Sequence, residues 1–227
     1  MKGKLLSVIT VNYNNDIGLL KTLESFKKFN LDSELLVIDG GSSDESLSIL
    51  NEAKRTIENI IIISEKDKGI YHAMNKGIKL SKGDWINFMN SGDTFFDISE
   101  VEEILKNNKK TDVIYGNQIY KGKRINPLHI SVLEKGIIHA SHQSMFFNIR
   151  KIKTELYYKS FYKIYGDYEL VNRLYIKKFK FKFINKCIAD TEPGGISQKI
   201  SFRKRLEKFL IILRSYGILG IVRSYFK

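Results

Sequence analysis

Leu5-Leu6-Ser7-Val8-Ile9-Thr10-Val11 runs directly into Asn12-Tyr13-Asn14-Asn15, an apolar, β-branched stretch cut off by polar residues. A run of that length and composition reads as a buried strand. The same pattern returns three times. Leu35-Leu36-Val37-Ile38 ends in Asp39-Gly40-Gly41-Ser42-Ser43-Asp44, and Ile60-Ile61-Ile62-Ile63 ends in Ser64-Glu65-Lys66-Asp67-Lys68-Gly69. Trp85-Ile86-Asn87-Phe88-Met89 ends in Asn90-Ser91-Gly92-Asp93. Helical patterns fill the gaps. Asp16 is a candidate N-cap before Leu20, Leu23 and Phe26; further helices are predicted from about Asp44 to Arg55 and from Tyr71 to Leu80. Strands that are near-continuous apolar runs, alternating with helices, predict an α/β fold with a mainly parallel central sheet covered on both faces.

The chain has 227 residues, 43% hydrophobic and 28% charged, which suits one domain with a substantial core. Cys187 is the only cysteine, which excludes an internal disulfide and a cysteine-based zinc site and fits a reducing, cytoplasmic setting. Met1-Lys2-Gly3-Lys4 leads straight into the first strand, so no signal peptide is expected. Beyond residue 110 the pattern is less regular. Strands are predicted at Val113-Ile114-Tyr115, Ser144-Met145-Phe146-Phe147 and, half-exposed, Lys180-Phe181-Lys182-Phe183-Ile184, with a helix from Tyr168 to Lys177. No repeat or low-complexity linker divides the chain.

In parallel α/β sheets, ligands bind beyond the carboxyl ends of the strands. Each of the four strand ends carries an Asp or Asn and none carries an apolar plug. Turns and N-caps favour the same residues, and for Asp44 a helix start is the better reading. A dinucleotide would require a Gly-x-Gly-x-x-Gly turn after the first strand, where this chain has Asn-Tyr-Asn-Asn, and there is no Walker A lysine. The edge offers instead an aromatic ring, Tyr13, to stack on a base, and carboxylates to accept from base NH or ribose hydroxyls. Asp93 is placed to hold a divalent cation against a diphosphate, since one carboxylate plus substrate phosphates can suffice for Mg²⁺ or Mn²⁺.

The four ordered motifs, Ser7–Asn14, Val37–Asp44, Glu65–Gly77 and Asn87–Asp93, together resemble inverting glycosyltransferase family 2 over about the first hundred residues. The likeness is greatest to bacterial polysaccharide members of the colanic acid, capsule and O-antigen kind. It implies the GT-A fold, a nucleoside-diphosphate-sugar donor such as a UDP-sugar, a Mn²⁺ or Mg²⁺ cofactor, and a glycan or lipid-linked acceptor. Residues 1–110 would then be the nucleotide-sugar half and 111–198 the acceptor half. The resemblance implies that Val11, Tyr13, Asp39, Asp67, Lys68, His142 and Gly195 contact the donor and that Asp93 holds the metal. Two departures stand out. Asp39 is followed by Gly40 rather than a second acid, and Ser91-Gly92-Asp93 lacks the first acid of the family's Asp-x-Asp. An inverting transfer also needs a base for the acceptor hydroxyl. Tyr165-Gly166-Asp167-Tyr168-Glu169-Leu170 resembles the family's acidic motif at a helix start, with Asp167 as the base, Glu169 as the alternative and a simple helix cap as the structural reading. One of His139 and His142 would touch the diphosphate or complete the metal shell, or be satisfied by a backbone carbonyl. Gly194-Gly195 would belong to a loop closing over phosphates or to an ordinary turn.

The net charge is +13. Residues 199–227 read as a basic amphipathic helix, with Phe202, Leu206, Phe209, Leu210 and Leu213 on one stripe and Arg203, Lys204, Glu207 and Lys208 elsewhere. Arg214 interrupts its apolar run, so it does not read as a plain membrane-spanning helix of about 20 residues. Such a helix suits the anionic inner face of a cell membrane, with packing on the domain or on a second subunit as the alternative. Two other classes fit the sequence less well. A nucleotidyltransferase would need a Gly-rich, Arg- and Lys-containing loop after the first strand, which is missing. Nucleic-acid binding, suggested by the charge and by Tyr157, Tyr158, Phe161, Tyr162 and Tyr165, lacks any known RNA-binding signature, and no nucleic-acid partner is expected.

Overall fold

The computed structural model describes residues 4–28, 32–193 and 202–225. The predicted first half forms as a repeating strand–helix unit: β1 (Leu6–Asn12), α1 (Asp16–Lys27), β2 (Ser33–Asp39), α2 (Ser46–Thr56), β3 (Ile60–Ser64), α3 (Ile70–Leu80) and β4 (Trp85–Phe88). β1 pairs in parallel with both β2 and β4, and β2 with β3, so all four strands end at one edge. Asn15 rather than Asp16 caps α1, because its side chain accepts from the Gly18 amide at 3.2 Å. Asp44 accepts from the Ser46 amide at 3.1 Å in the turn that opens α2.

The second half makes the sheet mixed. It comprises β5 (Thr94–Phe95), α4 (Val101–Asn107), β6 (Val113–Tyr120), β7 (Lys123–Ile125), β8 (Met145–Asn148), α5 (Ile149–Ile152), α6 (Gly166–Ile176), β9 (Phe181–Thr191) and α7 (Phe202–Tyr225). The strand order is β3-β2-β1-β4-β8-β6-β9-β5, with β7 paired to β6. β8 runs antiparallel to both β4 and β6, whereas β9 runs parallel to β6 and antiparallel to β5. β9 is far longer than the five-residue alternation at its start. Its far end, paired with β5, returns Thr191 and Glu192 to the loop that carries Asp93.

Alternate residues of each buried strand feed opposite faces. Ile9, Val11, Leu36 and Ile38 join Tyr71 and Met74 of α3, Leu170 and Leu174 of α6 and Ile211 of α7 in one core. Val8, Leu35 and Val37 join Leu19 and Leu23 of α1, Leu50 of α2 and Leu105 of α4 in the other. This is the three-layer packing the apolar runs predict.

α7 is part of the first of these layers. Ile211 and Ile212 are buried, and Ser215 accepts from Asn172 of α6 at 3.0 Å. The apolar stripe predicted from sequence faces outward for the most part: Phe202, Leu206, Phe209 and Leu213 are exposed. Glu207, assigned by its charge to the solvated flank, is buried instead. The helix breaks its geometry at Gly217, where φ is 66° and ψ −162°. Among the described residues, no helix is long and apolar enough to cross a membrane.

Candidate active site

The turn after β2 is organised around Asp39, which is fully buried. Oδ1 accepts from Asn12 Nδ2 at 2.9 Å and Ser42 Oγ at 2.5 Å. Oδ2 accepts from the Gly41 and Ser42 amides at 3.1 and 3.0 Å and from Ser64 Oγ at 2.7 Å. Burial alone would raise this carboxyl, but the hydrogen bonds from Ser42, Ser64 and Asn12 outweigh it and hold the group below the ordinary range. Asp39 thus ties the ends of β1, β2 and β3 together. Tyr13 stands above that turn, 67% exposed, and its ring lies against Gly40, where an added Cβ would sit 3.2 Å from Cδ2. Gly40 in place of a second acid leaves room for the ring. Val11 contributes backbone rather than side chain: it is buried, and its carbonyl accepts from the Ser91 amide at 3.2 Å.

At the end of β3, Asp67 Oδ1 meets His72 Nδ1 at 2.8 Å and Lys76 Nζ at 2.6 Å, while Oδ2 is buried without a partner among the described residues. Lys68 is exposed, and its carbonyl accepts from Lys163 Nζ at 3.0 Å.

Asp93 and Asp167 lie 74 positions apart in the sequence, yet two consecutive residues link them. His142 and Gln143 lie in a 3₁₀ turn, His142–Ser144, between the acids. Asn87 Nδ2 pins this turn by donating to the Gln143 and Met145 carbonyls, each at 2.9 Å. On one side Gln143 Nε2 donates to Asp93 Oδ2 at 2.6 Å, and the Glu192 amide donates to Oδ1 at 3.0 Å. On the other, His142 Nδ1 lies 3.3 Å from Asp167 Oδ2, and Nε2 lies 3.2 Å from Asn90 Nδ2. In the assigned amide orientation Asn90 donates to Nε2, which leaves the imidazole proton on Nδ1, toward Asp167.

Both acids are raised above the ordinary carboxylate range. For Asp93 burial is the main cause, opposed by Gln143, the Glu192 amide and His142, with the Glu192 carboxylate adding to the rise. For Asp167 burial again dominates, and His142 and the Tyr158 hydroxyl pull it part of the way back. Asp167 Oδ1 is buried without a hydrogen-bond partner among the described residues. Asp167 does not cap α6, whose N-terminus has no side-chain cap bond. Gly166 is required for its placement, since a Cβ there would lie 2.5 Å from the Tyr71 ring.

The profile of Glycosyl transferase family 2 matches residues 7–179. The chain belongs to glycosyl transferase family 2. A PGL/p-HBAD biosynthesis glycosyltransferase of Mycobacterium bovis is 27% identical over 218 residues, covering 91% of this chain and 85% of that protein. Among solved structures, S. aureus TarS 1-349 in complex with UDP-GlcNAc superposes with a TM-score of 0.75 at 14% identity, covering 97% of this chain and 70% of that one. The mannosyltransferase PcManGT of Pyrobaculum calidifontis, in complex with GDP-Man and Mn²⁺, gives 0.68 at 10% identity, covering 97% and 69%. At such identities the likeness is one of fold, and the fold is GT-A.

For a family 2 glycosyltransferase the geometry distinguishes between the residues that sequence left open. Of the two histidines, His142 sits between the acids, whereas His139 is buried against Tyr115 with neither ring nitrogen hydrogen-bonded. Glu169 is engaged by Lys159 at 2.6 Å and Arg173 at 3.1 Å, away from His142. Gly194 and Gly195 lie outside the described residues. Three contributors escaped the sequence: Asn90, Gln143 and Glu192. Asn90 and Gln143 flank positions already singled out, and their proximity in sequence is the signal that was available. Glu192 had no local signal, because only the pairing of β9 with β5 brings it to Asp93.

Among the described residues, no three His, Cys, Asp or Glu side chains converge to hold a metal alone. Asp93 and the nearby Glu192, whose Oε1 pairs with Lys21 Nζ at 2.5 Å, offer carboxylate oxygens only, a set that suits a hard cation displacing that lysine and sharing its remaining positions with diphosphate oxygens and water.

Proposed function

We propose that this transferase moves a sugar, with inversion, from a nucleoside-diphosphate sugar to a hydroxyl of a glycan or lipid-linked acceptor in bacterial surface polysaccharide synthesis. The observation that carries the reading is the linked pair of raised acids, Asp93 at the donor edge and Asp167 at the start of α6. An in-line displacement needs charge neutralised on the departing diphosphate and a proton accepted from the attacking hydroxyl, on opposite sides of the anomeric carbon. Asp93, with Glu192 beside it, would hold Mn²⁺ or Mg²⁺, which when bound neutralises the diphosphate. Asp167 accepts the acceptor's proton. Its raised basicity favours that transfer, and His142 orients it while presenting its other face toward the diphosphate side. Tyr13 stacks on the base, with Asp67 and Lys68 at the base and ribose, and Asp39 holds the turn that sets them. The UDP-GlcNAc and GDP-Man seen with the structural neighbours support a nucleotide-sugar donor.

The exposed stripe of α7 and its basic residues support a peripheral site at the inner face of the membrane, where a lipid-linked acceptor would lie. The test is calorimetry of UDP and GDP with and without Mn²⁺, followed by the anomeric configuration of the product. Metal-dependent binding of a nucleoside diphosphate that Asp93→Ala loses, together with an inverted product, is expected. Binding indifferent to both metal and Asp93, or a retained anomer, would sink the reading.

A further inference from the structure

The segment leading into Asp167 is held by a side chain from the far end of the chain. Glu207 of α7 accepts three successive backbone amides: Lys163 on Oε1 at 2.8 Å, and Ile164 and Tyr165 on Oε2 at 2.9 and 3.0 Å. Arg203, one turn earlier, donates to Oε1 at 3.0 Å. Only 5% of Glu207 is exposed. Burying a carboxylate is costly unless charge-assisted bonds surround it, and here they do. Burial would raise the group, but the three amides and Arg203 hold it below the ordinary range.

The next amide in line, Gly166, donates to the Tyr71 hydroxyl at 3.1 Å, and that hydroxyl donates to the Ile164 carbonyl at 3.0 Å. Four consecutive amides, 163–166, are therefore fixed by side chains of two other elements, Glu207 from α7 and Tyr71 from α3. Asp167 follows immediately. Lys163 also reaches the Lys68 carbonyl in the donor loop at 3.0 Å. Lys163 and Ile164 precede the N-cap Tyr165, so these bonds fix the approach to α6 and are not demanded by the helix end itself.

We propose that Glu207 is a positioning residue for the transfer: it clamps residues 163–165 so that Asp167 meets the acceptor hydroxyl. The inference rests on the reading of Asp167 as the base. It gives the tail a role in turnover that is separate from any membrane contact, because Glu207 lies on the buried face of α7.

The test uses the full chain and compares Glu207→Gln with Asp167→Asn, with nucleoside diphosphate binding followed by calorimetry. The Gln amide keeps the shape but offers one acceptor oxygen where the segment presents three amides, so the clamp loosens. The expected result is a kcat lower by roughly 10- to 100-fold, the scale of a misplaced catalytic group, with nucleotide affinity and donor KM near wild type. Glu207→Asp, which keeps the charge and shortens the reach, should fall between the two and carries the test if the Gln variant does not fold. Arg203→Met, which leaves the three amide bonds in place, should stay close to wild type. A folded Glu207→Gln or Glu207→Asp enzyme with wild-type kcat overturns the proposal. A loss of kcat and nucleotide binding together overturns it as well, since that is a merely structural role. Full turnover in Asp167→Asn would remove the base reading, and with it the link from Glu207 to Asp167.

Discussion

The turn after β2 is built on Asp39 and the start of α6 presents Asp167, and the protein treats these two acids in opposite ways. Asp39 has both oxygens occupied by donors from β1, β3 and its own turn, and it is held below the ordinary range. Asp167 has only the His142 imidazole and the Tyr158 hydroxyl to offset its burial, and it is raised. A carboxylate with every lone pair satisfied is stable and committed, and it serves the scaffold. One buried and left short of donors is costly, and the protein tolerates that cost where a proton or a ligand is to be received. Asp67, with one oxygen in an ion pair and the other without a partner, stands between them at the donor edge.

The sharpest way to break this contrast is at Asp167. Asp167→Asn keeps the size and removes the basic oxygen pair, so turnover should drop by about 10²-fold or more. Nucleotide binding at the other edge should stay near wild type, because Asn90 and Gln143 still link to His142 and Asp93. Steady-state kinetics beside calorimetry decides it. An Asn variant with ordinary turnover would mean that the unsatisfied oxygen is an accident of packing.

At Asp39 the contrast predicts the reverse balance. Asp39→Asn substitutes an NH₂ for one acceptor and drops the charge, so at least one buried donor among Ser42, Ser64 and Asn12 is left unmatched. Losing a charge-assisted bond in a buried site costs about 2–3 kcal/mol, read by denaturant unfolding. Nucleotide affinity should weaken with it, since Tyr13 rests on the same turn, while kcat at saturating donor changes less. Unaltered stability in Asp39→Asn would overturn its assignment to the scaffold.

How much of this was legible follows from what holds each element. β1, β2, β3 and β4 are apolar on both faces and end in polar turns, so their identity and the shared edge where they end were plain in the sequence. β5 and β7 are two and three residues long and exist only through their partners, β9 and β6. The extension of β9 from Ile184 to Thr191 is likewise fixed by long-range pairing, and Asn185, Lys186 and Cys187 break the alternation that marked its start. At the site, Asp93 and Asp167 could be named from local motifs. Gln143, which bridges toward Asp93, depends on the 3₁₀ turn being pinned by Asn87, a residue that sequence reads as strand interior. Glu207 was misjudged because a glutamate on a basic helix is usually solvated, and only the amides of residues 163–165 explain its burial.

His139 offers a sharper form of the comparison, because a buried polar group without partners is not by itself a functional one. Its neighbours include the Tyr115 and Phe181 rings, and among the described residues no carboxylate acts on it. Burial lowers its pKa from 6.5 to about 4. The folded chain therefore keeps the ring neutral while the unfolded chain takes a proton as pH falls below 6.5. Stability should decline from that pH downward and level off below about 4. Between pH 6.5 and 5 the loss is roughly 1.5 kcal/mol. His139→Leu should flatten that slope without altering turnover, measured by denaturation at several pH values. A slope that persists unchanged would place the titrating group elsewhere.

The smallest effect separates the two faces of α7. Removing the helix is not a clean test of membrane binding, because Glu207, Ile211 and Ile212 are built into the domain and truncation should destabilise it. The outer face can be altered alone. Phe202, Ile218 and Leu219 are 81%, 76% and 71% exposed, and Arg205, three residues after Phe202, is exposed as well. A basic residue near an anionic surface contributes about 1 kcal/mol, so Arg205→Gln should weaken binding to anionic vesicles about fivefold. Phe202→Ser with Leu219→Ser should weaken it further and equally at all salt concentrations, since that contribution is apolar. The charge-driven share should fade toward 1 M salt, where screening acts over about 3 Å. Unfolding curves should not move for any of these variants, because none touches the buried face. Co-sedimentation with anionic and neutral vesicles reads the partition directly. If the wild-type chain ignores both vesicle types while these variants lower its stability, the outer face belongs to a protein contact and the membrane reading is lost.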